Sequence, residues 1–178
     1  QLDLGIDYSS SFVYAQVALF ANRIGNYIFS ERMAGDNGKP VFFDNVPVYQ
    51  YTSGNARIMG GELSVDIHPI SHLHIGNSFA YVNSVQSHRP SEAKYLPFTP
   101  APRWNTDVKY EFICGGSTFD NLFVKLAMEC NLRQSHFYAV NQTETATPSY
   151  TLFHLYAGTD VCHHGKRLFS LYFSGENL

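Results

Sequence analysis

Trp104-Asn105-Thr106-Asp107-Val108-Lys109-Tyr110-Glu111-Phe112 changes chemistry at nearly every second residue. Trp104, Val108, Tyr110 and Phe112 fall on one face and Asn105, Asp107, Lys109 and Glu111 on the other, which is the period of a β-strand. The same alternation returns along the chain. Leu63, Val65 and Ile67 oppose Glu62, Ser64, Asp66 and His68, and Leu122, Val124, Leu126, Met128, Cys130 and Leu132 alternate with Lys125, Glu129, Asn131 and Arg133. One aromatic and aliphatic face against one charged face, repeated many times, describes a curved sheet lying between an apolar and an aqueous phase.

Composition supports strands over helices. The 178 residues are 44% hydrophobic and 15% aromatic, with 12 Tyr and 14 Phe, enough to build a single domain or part of one. A net charge of −3 without a basic block excludes an electrostatic footprint for nucleic acid. Cys114, Cys130 and Cys162 are an odd set with neither metal nor redox spacing, so no disulfide framework is expected. No apolar run reaches the ~18 residues of a transmembrane helix, which leaves transmembrane strands open because their signal is weaker. The chain opens at Gln1 directly into an alternating strand and shows no signal peptide, so it reads as a fragment or a mature piece whose N-terminus does not give the compartment.

Turn chemistry divides the chain into eight antiparallel up-and-down strands at about 2–8, 12–23, 48–68, 73–84, 103–112, 122–133, 150–161 and 168–178. Gly60-Gly61 reads as a bulge that bends the third strand. The connections alternate between short turns and long loops at 24–47, 85–102 and 134–148. Short turns at one rim and long loops at the other mark an outer-membrane barrel. A soluble eight-stranded barrel or sandwich that binds an apolar small molecule gives the same alternation with the faces inverted. Periodicity leaves both open; the placement of the charged face separates them.

Particular residues add a resemblance. Phe20-Ala21-Asn22-Arg23-Ile24-Gly25-Asn26-Tyr27-Ile28 resembles the segment of TonB-dependent outer-membrane receptors in which a strand leaves for an extracellular loop. Tyr49 to Ala56 followed by Gly61-Glu62-Leu63, the proline step Leu96 to Arg103, and Phe169 to Leu178 ending in Glu-Asn-Leu resemble later strands of that family, in family order. The resemblance implies an all-β section, residues 1–178, of a transmembrane β-barrel that has about 22 strands when whole. It implies a bacterial outer-membrane location and lipid contact. It also implies a separate plug domain, an inner-membrane energy-coupling complex, and a small-molecule nutrient such as a siderophore-type metal chelate or a cobalamin-like compound. Plug, coupling box and terminal aromatic strand have no counterpart here, so this section by itself is not expected to transport. With two open sheet edges, the section in isolation is expected to dimerise, aggregate or close through a different pairing.

Candidate sites follow from loops, which carry recognition on rigid scaffolds. The residues singled out for nutrient binding are Tyr49, Tyr51, His88, Arg89, Tyr95, His136 and Tyr138, and Trp104 is read as an interfacial aromatic anchor. Glu62, Asp66, Asp107, Lys109, Glu111, Lys125, Glu129 and Arg133 read as a hydrated lumen wall. Cys162-His163-His164 and the His68, His72, His74 group read as solvated rim, not as a metal site, since zinc needs three or four convergent ligands. No nucleophile elbow or phosphate loop occurs, so neither catalysis nor a cofactor is expected. Asn141-Gln142-Thr143 matches the glycosylation acceptor pattern, which in a bacterial barrel is chance.

Overall fold

The structure, a computed structural model, describes residues 1–113 and 118–178. The strands are β1 (Leu2–Ser9), β2 (Val13–Arg32), β3 (Phe42–Phe43), β4 (Val46–Pro47), β5 (Tyr49–Ile70), β6 (Leu73–Gln86), β7 (Arg103–Glu111), β8 (Phe119–Asn131), β9 (Tyr150–His163) and β10 (Lys166–Gly175). Eight of them form one sheet in the order β1-β2-β5-β6-β7-β8-β9-β10, while β3 and β4 make a separate small hairpin. Every pairing is antiparallel. Each of these eight lies beside the next of the eight along the chain; where a short turn joins two of them, nothing else is possible. In the turn between β9 and β10, His164 and Gly165 both take positive φ, 49° and 73°, the conformation that matches the twist of a two-residue hairpin.

Register sorts the side chains into two faces. Glu62 pairs with Ala18 and Ala80, Asp107 with Gly76 and Ala127, and Lys109 with His74 and Lys125, so the charges share one face across five strands. Ion pairs stitch it, with Lys109 to Glu111 at 2.6 Å and Lys125 to Asp107 at 3.5 Å. The other face carries Ile6, Val17, Leu63, Phe79, Trp104, Cys130 and Thr151 in one continuous row of cross-strand partners. These apolar side chains are bare: Leu4, Leu126, Phe153 and Leu171 are each more than half exposed. A second layer or a filled interior would have covered them, and among the described residues no large side chain is fully buried.

Two sequence expectations are corrected. The second strand does not end at Arg23 but continues to Arg32, where a loop from residue 24 was expected. One extra residue enters between Ile24 and Tyr27; Asn26 absorbs it at φ 53°, its N–H donating to Asn55 Oδ1 at 3.4 Å. Gly-Asn, the usual sign of a loop, here marks a bulge inside a strand. Conversely, Gly60-Gly61 is not a bulge, since both ladders run through it without a shift. A side chain at Gly60 would meet the Tyr81 carbonyl and the Phe20 ring, and one at Gly61 would lie 2.7 Å from Leu19. The pair makes room for side chains from neighbouring strands. Gly158 does the same for the rings of Phe123 and Tyr172.

The remaining boundaries move by a few residues, for example 119–131 in place of 122–133 for β8 and 166–175 in place of 168–178 for β10. Cys114, expected to open the turn ahead of β8, lies outside the described residues, and Cys130 and Cys162 are free thiols.

Gly60→Val overpacks this site, and about 1–3 kcal/mol of stability is expected to be lost. Heat-dependent electrophoretic migration of the intact barrel checks it.

Candidate functional site

β2 and β5 run for 20 and 22 residues, about twice what is needed to cross a bilayer, so their paired ends project beyond the rest of the sheet. Of the three long connections, 33–48, 87–102 and 132–149, the last two fold against this projection. Their meeting point is the one buried apolar cluster among the described residues, Phe29 and Ala56 from the strands with Ala93, Leu96 and Tyr138 from two loops. Phe29 and Tyr138 meet edge to face, ring centres 5.5 Å apart. Ala56 and Phe29 belong to the charged face of the sheet by register, so the loops fold over that face.

Hydrogen bonds hold the loops in place. Tyr138 donates its hydroxyl to Glu31, whose other oxygen accepts from Gln50 at 3.1 Å. Arg32, the last residue of β2, donates its N–H to Thr143 Oγ1 at 3.0 Å, and its carbonyl accepts from Asn141 Nδ2 at 2.8 Å. Glu144 joins two loops, one oxygen accepting from Phe98 N–H at 2.7 Å and the other from Tyr138 N–H at 3.0 Å. Gln86, buried at the end of β6, donates to the Ala93 carbonyl at 3.0 Å. Burial, and after it the hydrogen bond and negative charge of Glu31, hold the Tyr138 hydroxyl well above the ordinary tyrosine pKa.

Beneath the loops the charged face forms a recess of about 550 Å³, with Phe20 and Val82 as apolar floor and Glu62, Arg103 and Asn131 as polar wall. Pro100 and Ala101 close one side. Among the described residues neither Glu62 nor Arg103 is in an ion pair. The recess therefore offers a carboxylate, a guanidinium and an amide to whatever enters.

The residues singled out from sequence scatter. Tyr95 and His136 come together, stacked at 4.5 Å and 11°, with the Lys94 ammonium 5.2 Å from the tyrosine ring. Arg89 donates to the Ser53 carbonyl at 3.2 Å, and His88 is exposed at φ 55°. Tyr49 and Tyr51 are not on a loop: both lie on β5, on the face away from the recess, Tyr51 at 85% exposure. Tyr138 is 4% exposed and its hydroxyl is taken by Glu31, so the packed cluster keeps it from any ligand. Trp104 stands on the apolar face at the start of β7, between Phe79 and Cys130.

The His68 and His74 rings meet at 4.6 Å, and His74 faces Glu111 at 3.7 Å. His163 and His164 touch at 4.1 Å. Among the described residues no group of three or more His, Cys, Asp or Glu is arranged to hold a metal ion. Sequence reasoning missed Glu31, Gln86, Asn141, Thr143 and Glu144. Asn141 and Thr143, dismissed as a chance glycosylation pattern, bind both backbone groups of Arg32.

The sequence profile of TonB dependent receptor-like β-barrels matches residues 1–178. The chain belongs to the TonB-dependent receptor family. Its bare apolar face is thus the outer face of the receptor barrel, and the charged face with its recess is the lumen side. Among 24 solved chains of similar structure is "Copper transporter OprC", with a TM-score of 0.75 over 99% of this chain and 19% identity. At that identity the likeness speaks for the fold alone. The chain spans 24% of the length of that transporter. No curated protein matches the chain in sequence.

Tyr138→Phe is expected to free the loops locally, at about 1–3 kcal/mol. Hydrogen exchange should then quicken over residues 138–147 and stay slow in the sheet. The pH dependence has a definite sign. The docked state binds the phenolic proton more tightly than the undocked state, so this stabilisation is complete below pH about 10 and fades as pH rises past it. At pH ~10.5, where a free tyrosine is mostly ionised, the wild-type minus Tyr138→Phe difference spectrum should show no phenolate.

Proposed function

We propose that this chain is wall and outer gate of a bacterial outer-membrane transporter that takes up a scarce small-molecule nutrient. The observation that carries the reading is the division of the sheet into a bare apolar face and a charged face over which the long loops fold. Lipid covers the first; water, the nutrient and a plug domain supplied by the whole receptor meet the second. Energy reaches such a receptor from the inner membrane through the plug. In this reading the chain catalyses no reaction.

The nutrient is a chelate or other polyfunctional molecule of the siderophore or cobalamin-like kind. The recess supports this: Glu62, Arg103 and Asn131 can hydrogen-bond donors and acceptors together, while Phe20 and Val82 take up apolar surface. The copper in the name of the similar structure is that protein's cargo. Here the reading rests on the recess chemistry and not on a bare-ion site.

Leu126, at the centre of the apolar face of β8 and 61% exposed, separates a lipid-facing sheet from a water-facing one. Leu126→Arg is expected to destabilise the intact receptor by about 2–4 kcal/mol if the position meets the bilayer midplane. Were this face in water, the same change would be nearly silent. Denaturant unfolding in phosphatidylcholine vesicles gives the number. A companion variant, Arg103→Ala, should leave assembly intact and weaken uptake at least about tenfold if the recess holds nutrient.

A further inference from the structure

The apolar face ends abruptly in arginine. On β5 the outward residues Ile67, Val65, Leu63, Gly61 and Met59 are followed by Arg57; on β2, Val13, Ala15, Val17, Leu19 and Ala21 are followed by Arg23. Each apolar row covers roughly nine residues, the length of strand that crosses the hydrocarbon. Arg23 and Arg57 are direct cross-strand partners. Two like charges placed opposite each other repel, their Cβ atoms being about 5 Å apart.

Among the described residues no acid stands beside the pair; the β6 partner of Arg57 is Val85. Both arginines are exposed, and among the described residues neither makes an ion pair or a side-chain hydrogen bond. On the outward faces of β1, β2, β5 and β6 the charged residues are Arg23, Arg57 and, farther out, Arg32; every acid of these strands is on the lumen side. The pair lies toward the long-loop rim, just below the bulge at Asn26 and Asn55. This is the level at which hydrocarbon gives way to headgroups of the outer leaflet. The location rests on the membrane reading above; the pairing of the arginines does not.

We propose that Arg23 and Arg57 form a binding site for the phosphate of an anionic lipid headgroup in the outer leaflet. Two planar guanidinium forks side by side can take a phosphate bidentately from each strand, and its negative charge turns their mutual repulsion into a shared attraction. The apolar rows immediately beneath, ending in Met59 and Ala21, receive the acyl chains of the same lipid. A free phosphate has no use for that second part.

Native mass spectrometry of the intact receptor, released from mild detergent with phosphatidic acid or phosphatidylcholine added, tests the site. The wild type is expected to retain phosphatidic acid in preference to phosphatidylcholine, and the Arg23→Gln/Arg57→Gln double variant to retain it about tenfold less. Equal retention by wild type and double variant overturns the site. Heat protection by inorganic phosphate alone equal to that by phosphatidic acid overturns lipid as the source of the phosphate. Circular dichroism in phosphatidylcholine, run on both proteins, tells the two readings apart. A wild type that is not sheet-rich there refutes the membrane reading itself, whereas folded proteins with no lipid preference refute only the arginine site.

Discussion

A strand in hydrocarbon has no water to satisfy its backbone, so each N–H and C=O has to find another strand. The rest of this structure depends on that constraint. It explains why the ladders run unbroken through the glycines at 60 and 61, where a bulge would have left a group unpaired at membrane depth. It explains why the irregularities that do occur, between Ile24 and Tyr27 or between Asp120 and Phe123, lie toward the ends of the apolar rows. It also makes β1 and β10 incomplete within this chain, since each has its ladder partner on one side only. In the receptor, neighbouring strands complete them.

Among the described residues the sheet has no packed interior, so its own stability rests on the ladders. The loop cluster is the exception and works on the ordinary terms of a soluble core. Phe29, Ala56, Leu96 and Tyr138 exclude water, and the Glu31 carboxylate, taken among them, is satisfied by Tyr138 and Gln50. Its smallness makes it the part of the molecule most easily opened without disturbing the sheet. The sheet is a rigid wall, and the loops are attached to it by a small cluster and a few hydrogen bonds.

The charge pattern divides by face for the same reason. Glu62, Asp107, Lys109, Lys125 and Glu129 face water in the lumen and are free to pair with one another or with a guest. Arginine is the charge that the lipid side carries at its outer margin, where its long stem can lie on apolar surface while its head reaches the polar layer.

Much of this was legible from residues alone. The period-two rows of Trp104 to Phe112 and Leu122 to Leu132 set the strands and their two faces, and the alternation of short and long connections set their order, because both are encoded within a few neighbouring residues. Four segments in family order supplied what periodicity could not, the direction in which the apolar face points. The site was far less legible. Tyr138 looked like a loop aromatic open to ligand and proved to be buried against Glu31, 107 residues away in sequence. Asn141 and Thr143 looked like a stray pattern and proved to hold Arg32, 109 and 111 residues distant. Arg23 and Arg57 are unremarkable in the chain and become a pair only through register. The sequence by itself determined the alternation, the strand order and the family, since each is a local or cumulative property of the chain. Only the tertiary structure decided which loop residues are buried, which charges confront each other and where the recess opens, because those depend on contacts between distant segments that no local period records.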